Sequence, residues 1–196
     1  KTIMTTLLCH NLRMQMPEPV LHPLTDKTIV RPEHAQDAAG IEALLDICFG
    51  PDRFKKTAYR FREGVAPVSS LSFVVEDKET HALIGTIRYW PVVLPDGTPS
   101  LLLGPIAVEP ARQSEGIGIE LMHYSMGIAR GLHYASIILV GDAPYYNRFG
   151  FVRDVMLGIT LPGWVDEERF LGFEIIPGVL REQRGMLGKW PSQTTF

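Results

Sequence analysis

The chain has 196 residues, 45% hydrophobic and 21% charged, proportions that exclude wholesale disorder and suit one domain folding around its own core. Nineteen basic against twenty-two acidic residues leave a formal net charge of −3, which excludes nucleic-acid binding by bulk charge. The two cysteines, Cys9 and Cys48, belong to no CxxC pair or Cys/His cluster, so no metal site is expected, and a reducing cytoplasm suits them better than a disulfide-stapled secreted fold.

Residues 1–25 read as an N-terminal leader. The apolar stretch Ile3 to Leu8 is interrupted by Thr5 and Thr6 and falls short of the ~7–15 apolar residues of a secretory signal. No run approaches the roughly 18 apolar residues of a membrane span, so no membrane association is expected and residues 26–196 are assigned to one domain. Thr28-Ile29-Val30 reads as a short strand closed by Arg31-Pro32. Ala38, Ile41, Leu45 and Cys48 fall at helical spacing, and Phe49-Gly50-Pro51 stops that helix. A second, amphipathic helix is expected over Asp52 to Arg62. Leu71–Glu76 reads as a strand, and His81–Leu94 as a longer one ending in the hairpin signal Pro95-Asp96-Gly97. Ser100–Glu109 returns as an apolar strand broken by Gly104-Pro105.

A helix then runs from about Gly116 to Gly131, with Ile117, Leu121, Tyr124 and Ile128 on one face. Ala135–Val140 is nearly continuous apolar sequence, as in a strand buried on both faces. A short helix over Ala143–Arg148 stops at Gly150, and Val155–Leu161 and Phe170–Ile176 read as further strands. The order predicts a mixed α/β sheet with two antiparallel hairpin steps and one parallel crossover.

Leu103 to Ile119 is the most informative stretch. A buried strand ends at Val108-Glu109-Pro110, a tight loop follows, and Gly116-Ile117-Gly118 opens a helix. Such a loop aims several backbone N–H groups at one place, the helix dipole adds positive potential, and the glycines admit a bulky anion, so a phosphate or pyrophosphate site is expected. The same glycines also suit an ordinary helix start. No GxxxxGK[ST] loop is present, and Leu121 stands where a dinucleotide fingerprint needs its third glycine. Gly141 to Phe151 follows the buried parallel strand, at the sheet edge where α/β folds place ligands. Its Tyr145 and Tyr146 read either as core and rim or as a source of one hydroxyl for proton donation.

Together the two stretches resemble the GNAT superfamily of N-acetyltransferases. Gln113-Ser114-Glu115-Gly116-Ile117-Gly118 looks like the family's acyl-CoA loop Q/R-x-x-G-x-G/A, preceded by the strand Ile106-Ala107-Val108. Tyr146-Asn147-Arg148-Phe149-Gly150-Phe151 looks like its Y-x-x-[LF]-G-F close, and the order of elements agrees from Lys27 to Phe151. The resemblance implies a mostly antiparallel central sheet flanked by helices, with a splayed parallel strand pair forming the acyl-CoA cleft. Pantetheine would pair with backbone groups of Ile106, Ala107 and Val108, and the N–H groups over Gln113–Gly118 would hold the pyrophosphate. One strand amide would polarise the thioester, an amine would attack directly in a ternary complex, and Tyr146 would protonate the departing thiolate.

Departures from the family pattern are also visible. Ser114 and Glu115 stand in the loop, where a carboxylate weakens pyrophosphate binding unless it faces solvent or Arg112 offsets it. Asp142 takes the place of the usual asparagine after the buried strand. Ile137-Ile138-Leu139-Val140 offers no glutamate as general base. An ammonium of pKa about 10.4 is neutral in about one part in 2,500 at pH 7, so deprotonation costs roughly 4–5 kcal/mol and a base is wanted. Glu109 is the nearest carboxylate in sequence, reads equally as strand-end solvation, and leaves the base unassigned. His123 and His133 read as surface residues. Trp90, Trp164, Trp190, Phe170 and Phe173 suit packing better than an acceptor pocket. Arg53, Lys55, Lys56, Arg60 and Arg62 read as a solvated helix face, or as contacts to an acidic acceptor or the CoA 3′-phosphate. The expected function is an acetyl-CoA-dependent N-acetyltransferase acting on a small-molecule or protein amine. A non-catalytic acyl-CoA-binding module and a nucleotide-binding protein are the alternatives, and a homodimer is left open.

Overall fold

Alternating apolar residues drive the pairing of eight strands into one sheet in the computed structural model, which describes residues 22–191. In chain order the main strands are β1 (His22–Thr25), β2 (Thr28–Pro32), β3 (Phe73–Asp77), β4 (Leu83–Val93), β5 (Pro99–Val108) and β6 (Ser136–Val140). After β7 (Ile159–Thr160) come β8 (Phe170–Glu174), β9 (Gly185–Met186) and β10 (Gly188–Lys189). The sheet order is β1-β2-β3-β4-β5-β6-β8, with β10 paired to β4, and β7 and β9 form a separate parallel pair. Every pairing in the main sheet is antiparallel except β5 with β6. The strand β1 begins inside the span assigned to the leader. Cys9 and the rest of that span lie outside the described residues.

Helices cover both faces. Helix α1 (Ala38–Phe49) buries Ile41, Leu44 and Leu45 against Val74 and Ala107. Helix α2 (Ile117–Ala129) packs Ile117, Leu121, Met122, Met126 and Ala129 onto the opposite face, against Ile87, Tyr89, Leu101, Leu103 and Ile137. Leu102 and Ile138 point to the first face, where they meet Trp90, Met156 and Phe170. Burial on both sides explains the unbroken apolar runs of β5 and β6. Helix α3 (Ala143–Tyr146) follows β6.

Two expectations fail. Asp52 to Arg62 is not an α-helix but two 3-10 stretches, Pro51–Lys55 and Thr57–Phe61, parted by Lys56 in extended geometry (φ −70°, ψ 139°). Its basic side chains are not all solvated either. Arg53 is 3% exposed, pinned by Glu42 and Asp46 of α1. Val155–Leu161 is a 3-10 turn (Asp154–Met156) followed by the two-residue β7. Val155 and Met156 are neighbours buried in one cluster, which the alternation of a strand would forbid.

Candidate functional site

The parallel pairing of β5 and β6 lasts for two residues, Leu101 with Ile137 and Leu102 with Ile138. Beyond that point β6 stays paired to β8 through Val140, and β5 stays paired to β4 through Val108. The facing flanks of the two strands therefore separate into a notch inside the sheet. The Glu109 N–H donates to Ile84 O at 2.8 Å, so alternation turns the main-chain groups of Glu109 and Ala107 to β4 and those of Val108 and Ile106 to the notch. The Val108 carbonyl already accepts from Gln113 Nε2 at 3.2 Å and from Cys48 Sγ at 3.4 Å. Ile106 keeps both groups on the notch side.

At the open end of the notch, the stretch Pro110–Glu115 leads into Gly116, whose φ of 80° is left-handed and comfortable only for a residue lacking Cβ. The chain then enters α2 with the Gly116 carbonyl accepting from the N–H groups of Ile119 at 3.0 Å and Glu120 at 3.1 Å, which leaves those of Ile117 and Gly118 unclaimed by the helix. Gln113 folds back on β5, whereas Ser114 and Glu115 are exposed. Glu115 is tied down by Arg112, which also reaches Asp77 Oδ2 at 2.9 Å. The guanidinium holds the Glu115 carboxyl below the usual carboxylate range. At Asp77 the Thr80 N–H and then Arg112 do so even more strongly. The carboxylate that looked adverse in the loop thus has a matched cation.

Across the notch, the Asp142 carbonyl caps α3, accepting from the N–H groups of Tyr145 at 3.0 Å and Tyr146 at 3.1 Å. The Asp142 side chain is exposed and makes no cap bond. The Tyr146 ring packs against Gly141 and meets Tyr145 and Phe151 edge-on, at centroid separations of 5.0 and 6.1 Å. This burial pushes its phenol well above the ordinary tyrosine range, so it is protonated at neutral pH. The neighbouring Tyr145, which the motif leaves without a role, sends its hydroxyl to Gly118, 3.0 Å from where a Cβ would stand. It thereby joins α3 to the first turn of α2.

On the α1 face, where the strands part, Arg62 lies over the rings of Tyr59 at 4.4 Å and Trp90 at 5.8 Å. Its Nη2 is 3.2 Å from where a Cβ on Gly104 would stand, and the Gly104 carbonyl accepts from Trp90 Nε1 at 2.8 Å. Residues 57–60 are tied to the loop before β8 by Thr57 donating to Trp164 O at 2.6 Å and Arg60 donating to Pro162 O. Next to that loop is a cavity of about 260 Å³ lined by Arg153, Leu161, Trp164, Val165 and Phe170 among others. Trp90 and Phe170 are core, as composition suggested, while Trp164 is 85% exposed. Composition gave no sign of the position of Arg62, since its neighbours Tyr59, Trp90 and Gly104 come from three separate elements. His123 and His133 are exposed. Among the described residues no helix is long and apolar enough to cross a membrane, and no cluster of His, Cys, Asp or Glu is placed to hold a metal ion.

Residues 69–153 match the family described as acetyltransferase (GNAT) domain, a span holding the notch, the Gly116 loop and both tyrosines. The N-acetyltransferase YhbS of Escherichia coli K12 is 30% identical over 124 residues, covering 63% of this chain and 72% of that protein. The crystal structure of E. coli YhbS in complex with CoA aligns with a TM-score of 0.69 at 25% identity, over 92% of this chain and 97% of that one. A GNAT acetyltransferase from Brucella melitensis, solved with acetyl-CoA, aligns with a TM-score of 0.60 at 26% identity, over 84% of this chain and 97% of that one. The fold, the strand parting between β5 and β6, and these relatives agree: the chain belongs to the GNAT family of N-acetyltransferases.

Proposed function

We propose that the chain transfers acetyl from acetyl-CoA to a primary amine by direct attack in a ternary complex. The observation that carries this reading is the notch between β5 and β6, with unpaired main-chain groups on its β5 flank, a glycine-opened helix at its mouth and a protonated phenol on the other side. The two relatives solved with CoA and acetyl-CoA support the same donor.

Pantetheine adds to β5 as an extended strand, using Ile106 and the Val108 N–H, while Ala107 remains bonded to β4. Gln113, Ser114, Glu115, Gly116, Ile117 and Gly118 form the pyrophosphate loop, with Glu115 neutralised by Arg112. The Ile106 N–H is the strand amide best placed to polarise the thioester carbonyl. The amine nitrogen bonds to the carbonyl carbon, the C–S bond breaks, and Tyr146 donates to the leaving sulfur. Because burial raises the phenol, Tyr146 acts first as a hydrogen-bond donor; its proton passes to the sulfur as the new amide nitrogen gives its own to solvent, and a solvent proton then restores the phenol.

Thiol release from acetyl-CoA over an amine panel, with acetyl-CoA affinity measured in parallel, tests the proposal. Tyr146→Phe is expected to lower kcat about 100-fold or more and leave acetyl-CoA affinity within about twofold. Tight acetyl-CoA binding without turnover of any amine would favour a binding module, the reading suggested by the lack of a carboxylate on β6. No binding of acetyl-CoA would end the proposal.

A further inference from the structure

Burying a guanidinium costs free energy unless an anion answers it, and the shielded arginines of this protein follow that rule with one exception. Arg31 is held by Asp37 and Glu76, Arg53 by Glu42 and Asp46, Arg88 by Glu33, Arg112 by Asp77 and Glu115, and Arg153 by Glu167. Arg62 has no carboxylate among the described residues. Burial pushes the pKa of Arg62 down to about 10, partly opposed by the adjacent Tyr59 hydroxyl and slightly reinforced by the cation Arg88, so it remains charged at neutral pH. Its Nε and the neighbouring Tyr59 hydroxyl are both shut off from solvent without a hydrogen-bond partner. Two uncommitted donors and an unmatched positive charge therefore stand side by side.

Their place in the fold is as informative as their state. Gly104 lies one residue past Leu103, where β5 leaves β6, and its missing side chain lets the Arg62 guanidinium reach the main chain at the vertex of the notch. A donor whose pyrophosphate sits at Gly116 and whose arm runs back along Val108 and Ile106 brings its thioester to this vertex. Arg62 and Tyr59 approach it from the α1 face, opposite α2.

We propose that Arg62, assisted by Tyr59, binds a carboxylate carried by the acceptor, so that the enzyme acetylates amines bearing an acid group. This rests on the acetyl-transfer reading above and adds the class of acceptor. A carboxylate offers planar, paired acceptors to the guanidinium fork and can also accept from the phenol.

The test compares β-alanine and γ-aminobutyrate with their carboxamides as acceptors, in the wild type, Arg62→Gln and Arg62→Lys. The wild type is expected to favour the acids about 10- to 100-fold in kcat/KM, the size of one charge-assisted contact. Arg62→Gln should bring that ratio close to one, and Arg62→Lys should restore part of it. A wild-type ratio near one, or a ratio unchanged in Arg62→Gln, overturns the proposal. So does an equal fall for acids and amides, which would assign Arg62 to the thioester. Calorimetric titration with N-acetyl-β-alanine and its amide, with and without CoA, reads the site independently of turnover. Arg62-dependent binding of the acid in a protein that fails to bind CoA would sustain the anion site and sink the acetyl-transfer reading. Turnover without acid preference would do the reverse.

Discussion

Gly141→Ala probes the placement of Tyr146 without touching the tyrosine. Gly141 lies outside the left-handed region, so alanine meets no backbone penalty there. The added methyl would stand 2.2 Å from Tyr146 Cε2, 2.7 Å from Cδ2 and 3.1 Å from Leu139 Cδ1. Carbon atoms rest at about 3.5–4.0 Å, so the ring must retreat by roughly 1.3–1.8 Å. Tyr145 and Phe151 occupy its flanks and limit the retreat. Overpacking of this kind costs about 1–3 kcal/mol, or a fall in Tm of roughly 2–12 °C for a domain of this size. A displacement above an ångström at a reacting group costs about 100-fold in rate. The variant should therefore fold, bind acetyl-CoA with nearly wild-type affinity, and lose about two orders of magnitude in kcat in the thiol-release assay. Added to Tyr146→Phe, Gly141→Ala should lower kcat little further, because both act through one hydroxyl. A folded Gly141→Ala enzyme with kcat within about twofold of wild type would refute the placement of Tyr146 and the mechanism built on it.

Arg112→Gln leaves Glu115 as an unmatched carboxylate beside the loop; the KM for acetyl-CoA should rise about tenfold, and Glu115→Gln in the same background should recover most of the loss. The Asp77 carboxyl is held far below its ordinary value, so its stabilisation is complete above the unfolded-state pKa of about 3.9 and is lost as pH falls through the lower folded-state value. Urea denaturation of wild type and Asp77→Asn should accordingly show a constant gap from pH 8 to pH 5 that closes only below about pH 4; a gap already closing at pH 6 would contradict the pairing.

Sequence patterning was enough to place the central elements in chain order because they rest on local signals, whereas the splayed strand pair came only from the family resemblance. The double-faced apolar runs of β5 and β6 could only be central strands, and Gly116 and Gly150 stood where left-handed turns close the loop and α3. Asp52 to Arg62 was misread as one helix because Lys56 takes an extended conformation that interrupts it and parts two 3-10 stretches. Their charges were misread for a different reason. Arg53 is buried by carboxylates four residues apart on α1, and Arg62 by Trp90 and Gly104 from distant segments beside its near neighbour Tyr59, and local composition records neither partnership. Tyr145 was passed over because its contact, Gly118, lies 27 positions earlier in the chain.

The bare inner flank of β5 has a consequence for how this protein can diversify. Main-chain groups hold the donor in the proposed mechanism, and these survive nearly any substitution that keeps the strand extended. In the proposal for Arg62, what meets the acceptor is built from side chains of the 57–62 segment, which Thr57 and Arg60 latch to the loop before β8 at Trp164 and Pro162. On that reading mutation can rewrite the choice of amine around Arg62 while the acyl donor stays fixed, and drift in one recognition task need not erode the other.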